Sequence, residues 1–253
     1  MKKRLYLIPL LIGFGLLNSC NSLFKSYGTY GKASNYHALD SNGESFTGIA
    51  DIEIDWVAGD ITFYATEDDN IIIKEAYTGN KEARIWENNK DLSVKFCGSG
   101  SLFNSNLSKN LEVYIPNSFI INKIYISSYS SKITIPNLNV SQYEIESISG
   151  NIYLDANMSN DIDIETVGGN INLLIGNNTT SVSINTVGGN SVISCPEDIL
   201  GFTIDFDSIS GVLTDSFEAK KDEDTYTYLN KDNLLIKVDS VSGSLTIASL
   251  KNN

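Results

Sequence analysis

The sequence is poor in the residues that carry most enzyme chemistry. Its 253 residues include one histidine, His37, three cysteines and four prolines. Hydrolysis by a Ser-His-Asp triad needs a histidine base, and a zinc site needs clustered histidine or cysteine. Neither grouping occurs, and no glycine-rich loop ending in Lys-Ser or Lys-Thr is present to hold a phosphate. These absences argue against an enzyme and predict no catalytic residues and no resident metal.

Positive charge is also scarce. Lys and Arg total 18 against 31 Asp and Glu, which gives a net charge of −13, and residues 143–213 contain no Lys or Arg. Such an acidic chain is a poor partner for nucleic acid or for an anionic lipid surface. A polysaccharide-active β-helix enzyme is the less favoured alternative, because its site needs close carboxylates, often with Arg or Lys, in a groove.

No apolar run is long enough to span a membrane as a helix. The longest, Leu5–Leu17, is shorter than the roughly 20 residues required, and it follows Lys2-Lys3-Arg4. A basic head and a short apolar core predict a secretory signal peptide over residues 1–19. Removing that peptide would change the net charge from −13 to −16, because only those three charges would be lost.

The residues after this run resemble a bacterial lipobox. Leu17-Asn18-Ser19 precede Cys20. The resemblance implies that Cys20 becomes the first mature residue and carries acyl chains that hold the protein to a membrane. Asn21, rather than Asp, favours the outer membrane if the organism has two membranes. An ordinary signal peptide with a chance cysteine stays open as the alternative.

What the chain does contain is a repeat of about twenty residues. The pattern is apolar-x-apolar-x-x-apolar-x-Gly-x-apolar-x-apolar. Its glycines are Gly59, Gly150, Gly169, Gly189, Gly211 and Gly243, and Ser131 occupies the same place in a seventh copy. From Ser131 onwards the anchors are 19, 19, 20, 22 and 32 residues apart. A strand–turn–strand unit of this length cannot bury its own apolar face, so the copies are expected to stack. Unrelated hairpins with convergent turns are the alternative.

The spacing of apolar residues within a copy predicts local geometry. Residues two apart point to one face of a strand. The phase slips between Ile164 and Val167, which predicts a bend or bulge at Glu165-Thr166. A glycine beyond the bend suits a positive φ or a close approach of two backbones.

The repeat divides the chain into four predicted parts. A flexible tether over 20–45 follows the signal peptide, and a single β-repeat domain over 46–250 follows the tether. Within the domain, 46–123 is expected to be a non-repeating cap of antiparallel strands, and 124–250 the regular stack. A hairpin insert near 214–234 is expected to cap the far end, and the copy around Gly243 to close the domain. Cys97 and Cys195 could pair, but no sequence feature brings them together.

The order of these pieces resembles a bacterial β-strand-repeat, adhesin-like family related to toast-rack domains. The resemblance covers about residues 46–248. The matching stretches are Val57-Ala58-Gly59-Asp60-Ile61, Leu111-Glu112-Val113-Tyr114-Ile115-Pro116, Ile148-Ser149-Gly150-Asn151-Ile152, the two Val-Gly-Gly-Asn turns and Val241-Ser242-Gly243-Ser244-Leu245. It implies an all-β, solenoid-like stack in an exported or membrane-linked protein. Ser131 and the weak strand after Gly189 depart from the pattern.

One outward column of the repeat is a candidate binding site. It follows the second apolar residue of each copy and reads Asp55, Ser127, Glu146, Glu165, Asn185, Asp207 and Asp239. The next position is mostly a hydroxyl residue. In stacked copies, neighbouring strands lie about 4.8 Å apart, so like charges would repel and attract a counter-ion. Glu146, Glu165, Asp207 and Asp239 therefore form a predicted stripe for calcium or a basic partner. Alternatively, these side chains extend into water and bind nothing.

Together these patterns predict a non-enzymatic, lipid-anchored binding or scaffold protein of the cell envelope. Adhesin-like contact with a protein or glycan ligand is the leading expectation. An envelope-stress accessory or sensor lipoprotein is the alternative. The expected location is the bacterial membrane, reached through the N-terminal lipid, with exposure at the cell surface if the organism has two membranes.

Overall fold

The computed structural model describes residues 35–76, 82–96, 108–223, 225–230 and 233–250. Over these residues the chain is all-β. The strands are β1 (His37–Ala38), β2 (Glu44–Phe46), β3 (Asp51–Ala58), β4 (Ile61–Thr66), β5 (Ile71–Ala76), β6 (Arg84–Asn88), β7 (Asp91–Lys95), β8 (Asn110–Pro116), β9 (Ile121–Ser130), β10 (Ile133–Ile135), β11 (Val140–Ser149), β12 (Ile152–Ala156), β13 (Asp161–Thr166), β14 (Ile171–Ile175), β15 (Ser181–Thr186), β16 (Ser191–Pro196), β17 (Gly201–Ser208), β18 (Leu213–Asp215), β19 (Lys220–Asp222), β20 (Thr225–Leu229), β21 (Leu235–Ser240) and β22 (Leu245–Leu250).

Each copy of the repeat places its first strand in one sheet and its second strand in another. Sheet A has the order β1-β6-β7-β3-β9-β11-β13-β15-β21-β17-β20-β19, and sheet B has the order β18-β22-β16-β14-β12-β10-β4-β8-β5-β2. Neighbouring copies pair in parallel in both sheets, so the copies form rungs stacked along one axis. The predicted all-β, solenoid-like stack is confirmed.

The core lies between the two sheets because apolar residues alternate along every rung. In sheet A, Ile145, Ile164 and Ile184 are register partners, and all three are buried. In sheet B, Leu154, Leu173 and Ile193 align in the same way. Each rung therefore buries its apolar face on two neighbours, which is what a twenty-residue unit requires.

The order of the last two rungs differs from the prediction. β21 pairs with both β15 and β17, so the Gly243 copy lies between the Gly189 and Gly211 copies and does not close the domain. The other edge of β17 is covered by β20, which pairs with it antiparallel. In chain order, the strands of the outermost rung (β17 and β18) therefore come first, the β19–β20 hairpin follows, and the strands of the inner rung (β21 and β22) come last.

An eighth rung lies within the section predicted to be non-repeating. β7 pairs in parallel with β3, and β8 pairs in parallel with β4, so β7 and β8 form the rung before Gly59. Lys109 takes the glycine position of this rung. The segment between β7 and β8 is longer in sequence than in the other rungs, and its residues 97–107 lie outside the described residues. Because of this extra length, the eighth rung does not follow the spacing of about twenty residues that identifies the other copies.

The two ends of the stack are covered by short strands. At the near end, β6 and β1 extend sheet A, and β5 and β2 extend sheet B, all antiparallel. The prediction of a flexible tether is therefore wrong for residues 35–45, since β1 and most of β2 fall within it.

At the far end of the stack, Phe217 packs on Phe202 and Tyr228, with ring-centroid distances of 5.5 and 5.1 Å. Short edges limit pairing with other chains.

The predicted bend or bulge at Glu165-Thr166 is wrong in position: these two residues lie in the regular strand β13, and the chain bends directly after them, at 167–169. β13 alternates regularly to its end, with Ile162, Ile164 and Thr166 all buried. A hydroxyl residue is tolerated at the last inward position because Thr166 Oγ1 donates a hydrogen bond to the Gly168 carbonyl at 3.1 Å. The apparent slip arises because Val167 belongs to the turn, where it is half-buried.

One of the three cysteines lies in the described core. Cys195 is a free thiol in the core, and burial raises its pKa to about 12. Cys97 and Cys20 lie outside the described residues. Within the described ranges, no helix is long and apolar enough to cross a membrane.

Candidate interaction surface

All six predicted glycines lie in one column along the edge where sheet A turns into sheet B. A Cβ atom at any of them would lie 2.0–2.2 Å from a carbonyl oxygen of the neighbouring rung. Gly59, Gly150, Gly169 and Gly189 also have φ between 106° and 121°. In the other two turns the glycine N–H donates to a serine hydroxyl, from Gly211 to Ser208 and from Gly243 to Ser240. The close approach of neighbouring rungs therefore requires glycine at all six positions. A positive φ is a second reason for glycine at four of them.

An asparagine ladder runs beside this glycine column. The side-chain oxygen of Asn151 accepts the Asn170 N–H at 3.0 Å, and that of Asn170 accepts the Asn190 N–H at 3.0 Å. Asn190 continues the ladder to the Ser244 N–H at 3.1 Å. Sequence reasoning missed this feature, although Asn repeated directly after the glycine in three successive copies was a readable signal. The ladder supplies acceptors where the strands separate at the turn.

The predicted stripe is brought into register on the outer face of sheet A. The whole outward column reads, in order across the sheet, Asp55, Ser127, Glu146, Glu165, Asn185, Asp239 and Asp207. Glu146 and Glu165 are direct neighbours, and so are Asp239 and Asp207. Glu165 and Asp207 are separated by two rungs because of the changed rung order. The stripe is thus two acidic pairs with Asn185 between them.

A second acidic row lies two residues earlier on the same face. It contains Glu53, Tyr125, Glu144, Asp163, Ser183, Lys237 and Asp205 in register. Three lysines on this face are paired: Lys123 with Glu144, Lys237 with Asp239 at 3.0 Å, and Lys95 with both Glu53 and Asp55. Carboxylates nevertheless outnumber lysines here, so the face carries a negative potential.

The crowding of carboxylates raises pKa values in the middle of this face. Burial raises the pKa of Glu165, and the neighbouring charges of Asp163 and Glu144 raise it further. Burial also raises the pKa of Asp163, in spite of a hydrogen bond from Ser183. Both shifts mean that the ionised carboxylates are less stable here than in water. A cation or a basic side chain at this face would relieve that cost.

An apolar ridge runs parallel to the stripe, two residues further along each rung. It consists of Val57, Tyr129, Ile148, Val167, Val187, Val241 and Ile209. Backbone hydrogen bonds keep its members in step, from Val167 N–H to Ser147 O at 3.1 Å and from Val187 N–H to Thr166 O at 3.2 Å. Tyr129 is 42% exposed and Ile209 50% exposed. The other five ridge residues are half-buried, and Val57 also packs against the core. The positions that the sequence pattern assigned to the core are thus partly or largely exposed.

The outer face of sheet B has a different character. Tyr64 and Tyr114 stack with their centroids 4.8 Å apart, and Lys74 Nζ lies 4.9 Å from the Tyr114 ring. Lys132 Nζ covers Tyr153 at 5.5 Å. Each of these contacts places a lysine or a tyrosine next to one of the rings, while Tyr64 and Tyr153 stay 39% exposed.

The described ranges contain no group of three or more His, Cys, Asp or Glu side chains arranged to hold a metal ion. What the acidic face offers is a row of carboxylates spaced by the rungs, beside a row of aliphatic side chains. Such an arrangement can bind by charge and by apolar contact, and it resembles an interaction surface more than a reaction centre.

A stack of strand–turn–strand rungs closed by short edge strands defines a repeat domain of the toast-rack class. The chain belongs to the Toastrack DUF4097 family, whose model matches residues 49–159 and 128–248. The two matches overlap, as expected when one pattern recurs along the stack. No curated protein matches the chain.

The solved structures that align with this chain are distant from it in sequence. A proposed cell adhesion protein from Clostridium sporogenes ATCC 15579 aligns with a TM-score of 0.50 and 16% identity, over 85% of this chain and 98% of that one. At this identity the likeness shows the fold alone. Proposed adhesins from Bacteroides fragilis NCTC 9343 and Parabacteroides distasonis ATCC 8503 align at 11% identity each. Their TM-scores are 0.38 and 0.29, over 86% and 85% of this chain and 98% and 97% of theirs, too low to support a conclusion.

Proposed function

We propose that this protein is a non-enzymatic, adhesin-like binding or scaffold module of the cell envelope, tethered through a lipid on Cys20. The observation that carries the proposal is the long outer face of sheet A, on which acidic residues of successive rungs are held in register. A rigid, repeated face suits binding to an extended partner, because each rung repeats a similar contact.

The stripe is the part of this face that we propose as its binding element. The acidic pairs Glu146–Glu165 and Asp239–Asp207 would attract either a divalent cation or a basic partner. The raised pKa of Glu165 supports such a role, because a bound positive charge would stabilise the ionised form. If calcium is the ligand, adding it at about millimolar concentration should raise the melting temperature. Glu146→Gln with Glu165→Gln should then reduce the rise, because one of the two acidic pairs is lost.

Accessibility on intact cells tests the envelope role. An adhesin should be digested by added protease, or bound by an antibody against sheet B, without permeabilising the cells. Cys20→Ser should move the protein from the membrane fraction to the soluble fraction. Complete protection in intact cells, with digestion after permeabilisation, would contradict the adhesin role and favour the envelope-stress accessory or sensor.

A further inference from the structure

The acidic stripe and the apolar ridge run parallel to each other on the outer face of sheet A, and together they indicate the chemistry of a binding partner. Along each rung, one residue lies between the residue of the acidic column and the ridge residue, as Thr166 lies between Glu165 and Val167. This intervening residue is Ser or Thr in every rung except the first, where it is Trp56. The two rows therefore lie about 6.6 Å apart, at roughly 3.3 Å per residue. The ridge and the outward column that contains the stripe each cover seven rungs, so at about 4.8 Å per rung each row is about 29 Å long.

The ridge borders a surface without charge. The turns 147–151, 166–170, 186–190, 208–212 and 240–244 contain no Asp, Glu, Lys or Arg. On a chain with a net charge of −13, five adjacent uncharged turns with an aliphatic row form a distinct patch. One side of this patch is the acidic stripe, and the other is the asparagine ladder.

We propose that the ridge and the stripe together bind a cationic amphipathic α-helix. Its apolar side would lie on the ridge, and its Lys or Arg side chains would lie over the acidic pairs. This proposal rests on the proposed binding role and names the chemistry of the partner.

The dimensions favour a helix over an extended strand. A helix rises about 5.4 Å per turn, close to the 4.8 Å rung spacing, so one apolar residue per turn can follow the ridge. Side chains on one face of a strand recur at about 6.8 Å, which fits the rungs less well. The backbone along the ridge is also already paired between rungs, for example Gly188 N–H to Val167 O at 2.9 Å, and has little to offer a strand.

Charge argues against a second copy as the occupant. Two ridges packed together would bring two stripes and two chains of net charge −13 close to each other. Like charges at an interface oppose association unless they are compensated. A cationic helix brings the compensating charge with it.

Peptide binding to the purified protein, measured by fluorescence anisotropy, tests the proposal. The probe is an acetylated peptide of about 18 residues, with Leu on one helical face and Lys beside it. The first control peptide has the same composition in an order that is not amphipathic, and the second has Glu in place of Lys. We expect only the probe to bind, with an affinity that falls at least about tenfold between about 50 and 500 mM salt.

Matched variants separate the two rows. Val167→Ser with Val187→Ser should weaken binding about tenfold while keeping its salt dependence, since apolar contact is lost. Glu146→Gln with Glu165→Gln should weaken binding at low salt and flatten the salt dependence. Val192→Ser with Leu174→Ser on the outer face of sheet B, and Glu197→Gln with Glu218→Gln at exposed positions outside the stripe, should change affinity less than about twofold. Circular dichroism verifies that each variant is folded.

Several outcomes would overturn the proposal. Equal binding of the non-amphipathic peptide would show attraction by charge alone. Parent-like affinity of the ridge variant would show that the ridge is not used. Self-association of the parent in sedimentation velocity, lost in the ridge variant, would identify a second copy as the occupant. None of these results depends on where the protein is located in the cell, so they leave the proposed envelope role to its own test.

Discussion

At the scale of single residues, the two glycines of one Val-Gly-Gly turn have different roles. Gly169 has a φ of 121°, and a Cβ there would lie 2.2 Å from the Gly150 carbonyl oxygen. At Gly168 the nearest atom to a Cβ is the Gly188 carbonyl oxygen, 4.0 Å away. We therefore expect Gly169→Ala to lower the free energy of unfolding by about 2–3 kcal/mol, and Gly168→Ala to change it by less than about 1 kcal/mol.

Urea unfolding of the two variants, read by tryptophan fluorescence, measures this difference. The pair is well matched because the same side chain is added one residue apart in the same turn. Equal losses for both substitutions would mean that neither the positive φ nor the rung contact at Gly169 limits the fold.

In the eighth rung, Lys109 occupies the position that glycine has in most other rungs, and its side chain forms a buried ion pair. The Lys109 side chain is 0% exposed and pairs with Glu75, which is 4% exposed. Lys109 Nζ lies 4.4 Å from the Phe96 ring centroid and 5.5 Å from that of Trp56. Lys109→Met leaves the Glu75 carboxylate without this cation, and we expect a loss of about 3–5 kcal/mol.

Adding Glu75→Gln to Lys109→Met should recover at least about 2 kcal/mol, because the amide carries no charge. Gln also keeps an acceptor for the Ala83 N–H, which lies 2.7 Å from Glu75 Oε2. Chemical denaturation of the single and double variants gives the comparison. A double variant less stable than Lys109→Met would contradict a dominant cost of isolated charge.

At the scale of elements, the asparagine ladder joins successive turns. Asn170 both donates its N–H to Asn151 and accepts from Asn190. Asn172 lies two residues later and is exposed on the outer face of sheet B. Replacing Asn151, Asn170 and Asn190 together by Ala should cost about 3 kcal/mol, at about 1 kcal/mol for each lost hydrogen bond. Asn172→Ala should be close to neutral.

Hydrogen exchange should show where that loss acts. In the triple variant, the N–H groups of Asn170, Asn190 and Ser244 should exchange faster, while core amides such as that of Ile164 should change only with global stability. Faster exchange spread evenly over all rungs would indicate that the ladder does not act locally at the turns.

At the scale of the whole molecule, the sequence predicts the stack better than it predicts the order of the rungs. Alternating residues such as Ile162 and Ile164 fix which side of a strand is buried, and they place Glu146 beside Glu165. The same pattern in every copy cannot specify that the Gly243 copy precedes the Gly211 copy, because either order buries the same faces. Constant spacing also fails for the β7–β8 rung, whose turn is longer. The ridge was missed because apolar residues at the end of a strand or in the turn after it follow the same sequence pattern as core residues.

The charge of the acidic face should also set how stability depends on pH. Burial and neighbouring carboxylates raise the pKa values of Asp163 and Glu165 above their ordinary values of 3.8 and 4.5. The folded state therefore binds more protons than the unfolded chain in that window, so lowering the pH from 7 towards 4.5 should stabilise the fold. Because both groups are only partly buried, the gain should stay below about 1 kcal/mol.

Glu53 has the opposite effect on the pH dependence of stability, and it limits the gain in stability at low pH. Burial acts to raise its pKa, but hydrogen bonds from Lys95 and Ser93, with the charge of Lys95, lower it below 4.5. The stability that Glu53 contributes is present above pH 4.5, and it is lost as the pH falls through the lowered pKa of this group. Urea unfolding at pH 7, 6, 5 and 4 should therefore show stability rising as the pH falls from 7 towards 4.5, with the rise opposed by Glu53 at lower pH. Asp163→Asn with Glu165→Gln should flatten the rise between pH 7 and 5, and Glu53→Gln should preserve it. A steady fall in parent stability from pH 7 to 5 would mean that carboxylate repulsion on the outer face of sheet A does not govern this dependence.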